Sequence, residues 1–148
     1  MKFISILLIT GCFLTADLSA QMEDNFNLED HQWNNRVLLI FSPNSIYTGL
    51  TRTMEMVQNN QDGFNERDLK VFQVLGSIGN SSGESVLQRD DAHTMRDRFE
   101  VGQNEFQVIL IGKDGTEKMR SEEAISSEYL FEEIDAMPMR RLEMKEDG

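Results

Sequence analysis

The chain of 148 residues carries 14 Lys and Arg against 26 Asp and Glu, a net charge of −12. That balance argues against a nucleic-acid partner, whose phosphate backbone needs clustered cations, and it disfavours attraction to an anionic membrane surface. The single cysteine, Cys12, lies in an N-terminal apolar segment, so the rest of the chain must cohere through its core and has no thiol for redox work, disulfides or thiolate zinc.

Lys2 supplies a short positive start, and residues 3–14 are apolar apart from Ser5, Thr10, Gly11 and Cys12. Ser19-Ala20 then offers small residues before the polar stretch from Gln21. This is the layout of an export signal over residues 1–20, too short for a comfortable transmembrane span. Cleavage after Ala20 removes Lys2 and Asp17, one charge of each sign, and leaves the net charge at −12. Ile9-Thr10-Gly11-Cys12 also fits a lipobox, in which the cysteine is lipidated and becomes the new N-terminus. Both readings export the chain to a periplasm or to the cell exterior, with no transmembrane segment in the mature part.

Residues 21–35 read as a polar lead-in, with Trp33 and Phe26 as its large apolar groups, one of which docks onto the domain. Residues 37–41 are a continuous apolar run, the mark of a strand covered on both faces. Ser42-Pro43-Asn44-Ser45 breaks the run, and Asn44 or Ser45 is placed to cap a helix. Ile46, Leu50, Met54 and Val57 form its apolar stripe, which ends near Asn59-Asn60 and Asp62-Gly63. Residues 69–75 predict a second strand, and the glycines and serines of residues 76–88 predict a long loop. Asp91 is placed to cap a short helix in which Ala92, Met95 and Phe99 share a face.

Residues 106–111 predict a third strand. Lys113-Asp114-Gly115 predicts a hairpin turn, and residues 116–120 a fourth strand with the polar face of a sheet edge. Ser126 or Ser127 is placed to cap a last helix with Leu130, Phe131, Ile134 and Met137 inward, stopped by Pro138. A right-handed crossover through the first helix makes the first two strands parallel, and the hairpin closes the sheet antiparallel beside them. The expectation is an α/β thioredoxin-like domain over residues 36–144, a central four-stranded mixed sheet in the order β-α-β-α-β-β-α flanked by helices.

Several blocks then resemble one family. They are Asn35-Arg36-Val37-Leu38-Leu39-Ile40-Phe41-Ser42-Pro43, Arg67-Asp68-Leu69 with Val71-Phe72, and Met95-Arg96-Asp97-Arg98-Phe99. Val108-Ile109-Leu110-Ile111-Gly112-Lys113-Asp114-Gly115 with Lys118, and Ile134-Asp135-Ala136-Met137-Pro138-Met139-Arg140-Arg141, complete the set. Over residues 33–144 the chain resembles a thioredoxin-like domain of unknown function of bacterial exported proteins. A related domain occurs in sushi-repeat-containing and DRO-URB-equarin matrix proteins of animals. The resemblance implies a fold and a compartment but little chemistry, since the family has no settled activity. Active thioredoxin-like enzymes place a nucleophilic cysteine after the first core strand, where a helix terminus lowers its pKa, and a cis-proline before the third. The equivalent stretches here, residues 42–49 and 103–107, hold no cysteine and no facing proline. No thiol oxidoreductase or peroxidase activity is expected.

The remaining motifs have plain readings. Ser42, Ser45, Tyr47 and Thr48 stand nearest the vacated position, but a nucleophilic serine needs a base, and neither His31 nor His93 has the spacing of a dyad. Gly112-Lys113-Asp114-Gly115 lacks the spacing and following helix of a phosphate loop. Glu122-Glu123 and Glu132-Glu133 with Asp135 read as a solvated face before a calcium site. Arg140-Arg141, with Lys113, Arg36 and Arg98, could form an anion surface, though in so acidic a chain pairing with carboxylates is the commoner outcome. Asn80-Ser81-Ser82 is a glycosylation sequon only in a eukaryotic secretory pathway. Met22, Met54 and Met95 are gap-filling or surface groups.

The function expected is a non-catalytic module, without cofactor or metal, that binds an unknown protein or other envelope component. Its candidate surface is Ser42, Pro43, Asn44, Ser45, Arg98, Gln107 and Lys113. The alternative is an enzyme using polar non-thiol groups at the same strand ends, with Ser42, Asn44, Arg98 and Gln107 as first candidates. A structural role in a matrix or cell coat is a third reading.

Overall fold

The centre of the molecule is β1 (Arg36–Ser42), buried at every position as its apolar run requires. β2 (Leu69–Leu75) pairs parallel to one flank, and β3 (Gln107–Ile111) pairs antiparallel to the other, with β4 (Glu117–Ser121) antiparallel beyond it. The order across the sheet is β2-β1-β3-β4, the mixed four-stranded arrangement expected. The computed structural model describes residues 25–77, 85–146 and 148. The export signal, the Ala20 cleavage site, the Cys12 lipobox, Met22 and the Asn80-Ser81-Ser82 sequon lie outside the described residues.

Alternation along β1 sends side chains to two cores. Leu38 and Ile40 face α1 (Thr48–Asn59), α2 (Gln61–Glu66) and α4 (Ser127–Asp135), meeting Leu50, Val57, Phe64, Leu130 and Ile134. Val37, Leu39 and Phe41 face α3 (Arg89–Phe99), meeting Ala92 and Met95. Burying each such Leu, Ile or Phe contributes roughly 1.5–3 kcal/mol, so a domain without disulfides has its cohesion on both faces of one strand. Phe26 docks as expected, its ring 4.7 Å from that of Phe72. Leu28, not singled out from the sequence, is buried beside it, whereas Trp33 is 63% exposed. Among the described residues no helix is long and apolar enough to cross a membrane.

Helix boundaries differ from expectation in four places. α1 starts at Thr48 with Tyr47 at its N-cap and no side-chain cap. Ile46 therefore precedes the helix and is 85% exposed, while the Asn44 Oδ1 closes a local turn by accepting the Ile46 N–H at 3.1 Å. α1 ends at Asn59 as expected, but Asp62-Gly63, read as part of the same stop, lies inside α2. α3 starts at Arg89 after Gln88, and the Asp91 carboxylate accepts the Phe26 N–H at 3.0 Å, tying down the lead-in where a cap was expected. Pro138 does not stop α4, which has ended at Asp135; it opens α5 (Pro138–Glu146), a helix not foreseen. Proline suits a first helical turn because the missing N–H has no partner there in any case.

The cap of the α4 helix, the hairpin and the edge strand follow expectation. Ser126 caps α4 by accepting the Tyr129 N–H at 3.2 Å. The hairpin after β3 turns at Gly115, whose φ of +79° suits glycine, and the Gly112 N–H donates to the Thr116 carbonyl at 2.9 Å. β4 is an edge strand with Glu117, Lys118 and Arg120 outward and Met119 inward. Part of the expected 76–88 loop pairs with the other edge, where Val86 bridges Gln73 in parallel.

Candidate functional site

The turn after β1 lies where thiol enzymes of this architecture carry their nucleophile, and it is tied down by backbone bonds. The Ser42 carbonyl accepts the Gly76 N–H at 2.8 Å, and the Pro43 carbonyl accepts the Ser77 N–H at 3.0 Å. Both bonds anchor the turn to the end of β2. Ser42 itself is buried, and its Oγ donates to the Asn44 carbonyl at 2.8 Å. That hydroxyl proton is thus committed to a carbonyl that cannot take it up as a base, which removes Ser42 as an activated nucleophile.

Gln107 lies opposite Phe41 in the β1–β3 ladder, at the same end of the sheet, and its Oε1 accepts from Arg120 Nη1 at 2.8 Å. Beyond the turn, the Tyr47 ring rests on Phe106 with centroids 5.3 Å apart. This contact needs Gly49, since a Cβ there would come within 2.8 Å of Tyr47 and 3.1 Å of Phe106. An open groove of about 440 Å³ runs past Tyr47, Thr48, Arg52, Phe106, Glu122 and Glu123.

The structure thus gathers Ser42, Pro43, Asn44, Ser45 and Gln107 at one sheet edge and places the other two candidates elsewhere. Arg98 sits on the outer side of α3, paired with Glu29 at 2.7 Å. Lys113 follows β3, which runs antiparallel to β1, and so lies at the opposite end. There its Nζ meets Asp68 at 2.8 Å and Glu143 at 2.7 Å.

That opposite end is a network in which buried or largely buried cations meet partly exposed carboxylates. Arg36, 0% exposed, donates to both oxygens of Glu143 at 3.2 Å and to the Arg67 carbonyl at 2.9 Å. Arg140 donates to Asp135 at 3.2 Å and to Glu66 at 2.5 Å. Arg67 makes a two-toothed pair with Asp135 at 3.0 and 2.7 Å and stacks 4.3 Å over the Phe131 ring. Burial pushes the Asp135 carboxyl up, but hydrogen bonds from Arg67 and Arg140 outweigh it and hold the group below the usual carboxylate range. Glu143 is likewise held low, burial being outweighed by Lys113 and Arg36. For Arg36, Arg98, Lys113 and Arg140 the pairing expected as the commoner outcome is what the structure shows, each meeting a carboxylate, while Arg141 is exposed on α5.

One buried cation at the candidate edge was missed from the sequence. Arg96 on α3 donates through Nη2 to the carbonyls of Ser42 at 2.7 Å and Val74 at 2.9 Å, and through Nη1 to that of Gly102. It clamps the ends of β1 and β2 together. The available signal was its place four residues after Ala92 and next to Met95, on the apolar face of α3. Among the described residues no three His, Cys, Asp or Glu converge as metal ligands.

With this geometry in view, the similar solved structures show the fold. The chain is similar to the reduced 2-Cys peroxiredoxin of Plasmodium vivax, with a TM-score of 0.59 and 16% identity over 80% of this chain and 85% of that one. Plasmodium yoelii thioredoxin peroxidase I gives 0.59 and 16% over 78% and 79%. The mitochondrial 2-Cys peroxiredoxin of Plasmodium falciparum gives 0.58 and 13% over 75% and 80%. The fold is thioredoxin-like, while the only cysteine of this chain is Cys12. Residues 27–143 match one family model, and the chain belongs to the family described as a domain of unknown function, DUF4174.

Proposed function

We propose that this chain is an exported, non-catalytic thioredoxin-like module that binds a protein or another envelope or extracellular component through the turn after β1. The observation that supports this most directly is the content of that turn. Where thiol enzymes of the fold have a nucleophile, this chain has Pro43, Asn44 and Ser45, followed by the exposed Ile46 and Tyr47. An aliphatic and an aromatic side chain presented by a tethered turn are the kind of groups a partner buries at the centre of a contact. Export rests on the pattern of residues 1–20. A relation of this family to the domain of sushi-repeat-containing and DRO-URB-equarin matrix proteins, which we infer from the blocks named above, favours an extracellular setting.

The test is crosslinking in living cells from a photoreactive residue at Ser45 or Ile46, with a control probe at Arg141 on α5. A small set of adducts formed from the turn and absent from the control is expected. Identical adducts from both positions, or reduction of hydrogen peroxide by the purified protein, would reject the reading. Mass spectrometry of the mature N-terminus is expected to show either Gln21 or a lipidated Cys12, and an intact Met1 would remove export from the proposal.

A further inference from the structure

On the α3 side of the sheet, beneath the 42–45 turn, a cavity of about 270 Å³ opens between the end of β2 and α3. Gly76, Ser77, Arg89, His93, Arg96 and Gln103 line it. Arg89, His93 and Arg96 follow one another at i, i+4 and i+7, so one face of the helix presents them together. Among the described residues, no Asp or Glu lines the cavity. In a chain of 26 acids and net charge −12, a cavity walled by two arginines and a histidine is an exception.

Arg96 gives the cavity its character. It is 3% exposed, and none of the ion pairs among the described residues includes it. Three carbonyl dipoles hold it, while its Nε–H, like that of Arg36, has no acceptor among the described residues. Burial pushes its pKa down, and Glu105 provides the charge that pulls it back. Carbonyls satisfy hydrogen-bond directions but do not neutralise a full positive charge in a low-dielectric site. The other buried arginines of this chain, Arg36 and Arg140, each have a carboxylate in contact. A purely architectural clamp explains the three carbonyl bonds. It does not explain why, among the described residues, the open side of the same guanidinium is lined with more cations and no acid.

We propose that this cavity binds a small oxyanion, a carboxylate or a tetrahedral phosphate-type group, contacted by Arg89 and His93 at the mouth with Arg96 as the buried charge beneath. The walls are fixed for such a role. Gly76 approaches the Gln103 and Pro43 carbonyls so closely that any side chain there would collide with backbone. The negative charge of the chain repels anions at long range, but this is screened beyond about 8 Å at physiological ionic strength, so recognition is a matter of contacts inside the cavity. The inference is independent of the binding-module reading, because the cavity lies on the α3 side and does not use Ile46 or Tyr47.

The experiment is an amide chemical-shift titration of protein purified from cells expressing the full chain. The probes are inorganic phosphate, sulfate and acetate at constant ionic strength. Saturable shifts confined to Gly76, Ser77, His93 and their neighbours are expected, with a dissociation constant on the order of 1 mM for the preferred probe. Phosphate or sulfate binding more tightly than acetate identifies a tetrahedral ligand, and the reverse identifies a carboxylate. Arg89 and His93 are both exposed, so Arg89→Gln with His93→Gln should keep the wild-type urea midpoint while weakening binding at least tenfold. Absence of saturable shifts at 50 mM of every probe, or undiminished affinity in the double variant, would overturn the proposal.

Discussion

At the amino end of β1 and β2, the buried Arg36 faces Glu143 with both oxygens in reach, and Lys113, Arg67 and Arg140 extend the pairing through Asp68, Asp135 and Glu66. At the carboxyl end, the buried Arg96 meets the carbonyls of Ser42, Val74 and Gly102 and, among the described residues, no carboxylate. The first end compensates its cations with formal charge and fastens α5 to the sheet by doing so. The second compensates with dipoles and joins two strand ends. A carboxylate can be protonated and a carbonyl cannot, so the two ends should answer differently to acid. The first end is electrically complete, whereas the second retains positive charge.

The largest effect that would break this comparison is expected from Arg96→Met. Losing the guanidinium removes three charge-assisted hydrogen bonds, leaves the buried Val74 carbonyl without that donor, and should cost about 3–5 kcal/mol in urea unfolding. A loss under about 1 kcal/mol would mean that Arg96 holds nothing together. Next comes Glu143→Gln, which leaves Arg36 buried without its counter-charge. About 2–3 kcal/mol is expected at neutral pH, with part of the loss recovered when Arg36→Met is added, because the stranded cation is then gone too.

Acid should separate the two ends. Asp135 and Glu143 have folded pKa values held below the ordinary range. Their stabilising contribution is therefore complete above the unfolded value of about 4 and is lost as pH falls through the lower folded value. Stability followed from pH 6 down to pH 2 should fall mainly below about pH 4. Asp135→Asn with Glu143→Gln should flatten that limb, and Arg96→Met should leave its slope unchanged. The smallest effect belongs to Arg98→Ala. Its pair with Glu29 is exposed, and the change should stay within about 0.5 kcal/mol.

Strands and hairpin could be read from the sequence because their signals are local. A five-residue apolar run broken by Ser42-Pro43 is too short for a buried helix and reads as a covered strand, and Asp114-Gly115 between two strand-like runs leaves few alternatives to a turn. Helix ends were harder, because apolar spacing reports which residues face the core and not where backbone hydrogen bonding begins. Ile46 keeps the spacing of Leu50 and Val57 yet precedes the helix, and Pro138 reads equally as an end or a beginning. At the site, the 42–45 turn and Gln107 fall together because strand order alone brings them to one edge. Lys113 was misplaced because the antiparallel direction of β3 carries whatever follows it to the far end. Arg96 stayed hidden because an arginine in a charged stretch reads as solvated until a helix face turns it inward.

β1 is flanked on both sides, yet its two neighbours arrive late in the chain. β2 begins at Leu69, and the residue opposite Val37 on the other side is Ile111. A polypeptide delivered N-terminus first, from a ribosome or through a pore, displays Val37-Leu38-Leu39-Ile40-Phe41 uncovered until about 70 further residues have followed. During that interval a run of five apolar residues that the finished protein buries completely is exposed. Yield in cells is therefore governed by how that strand is shielded in transit, whatever the stability of the completed sheet.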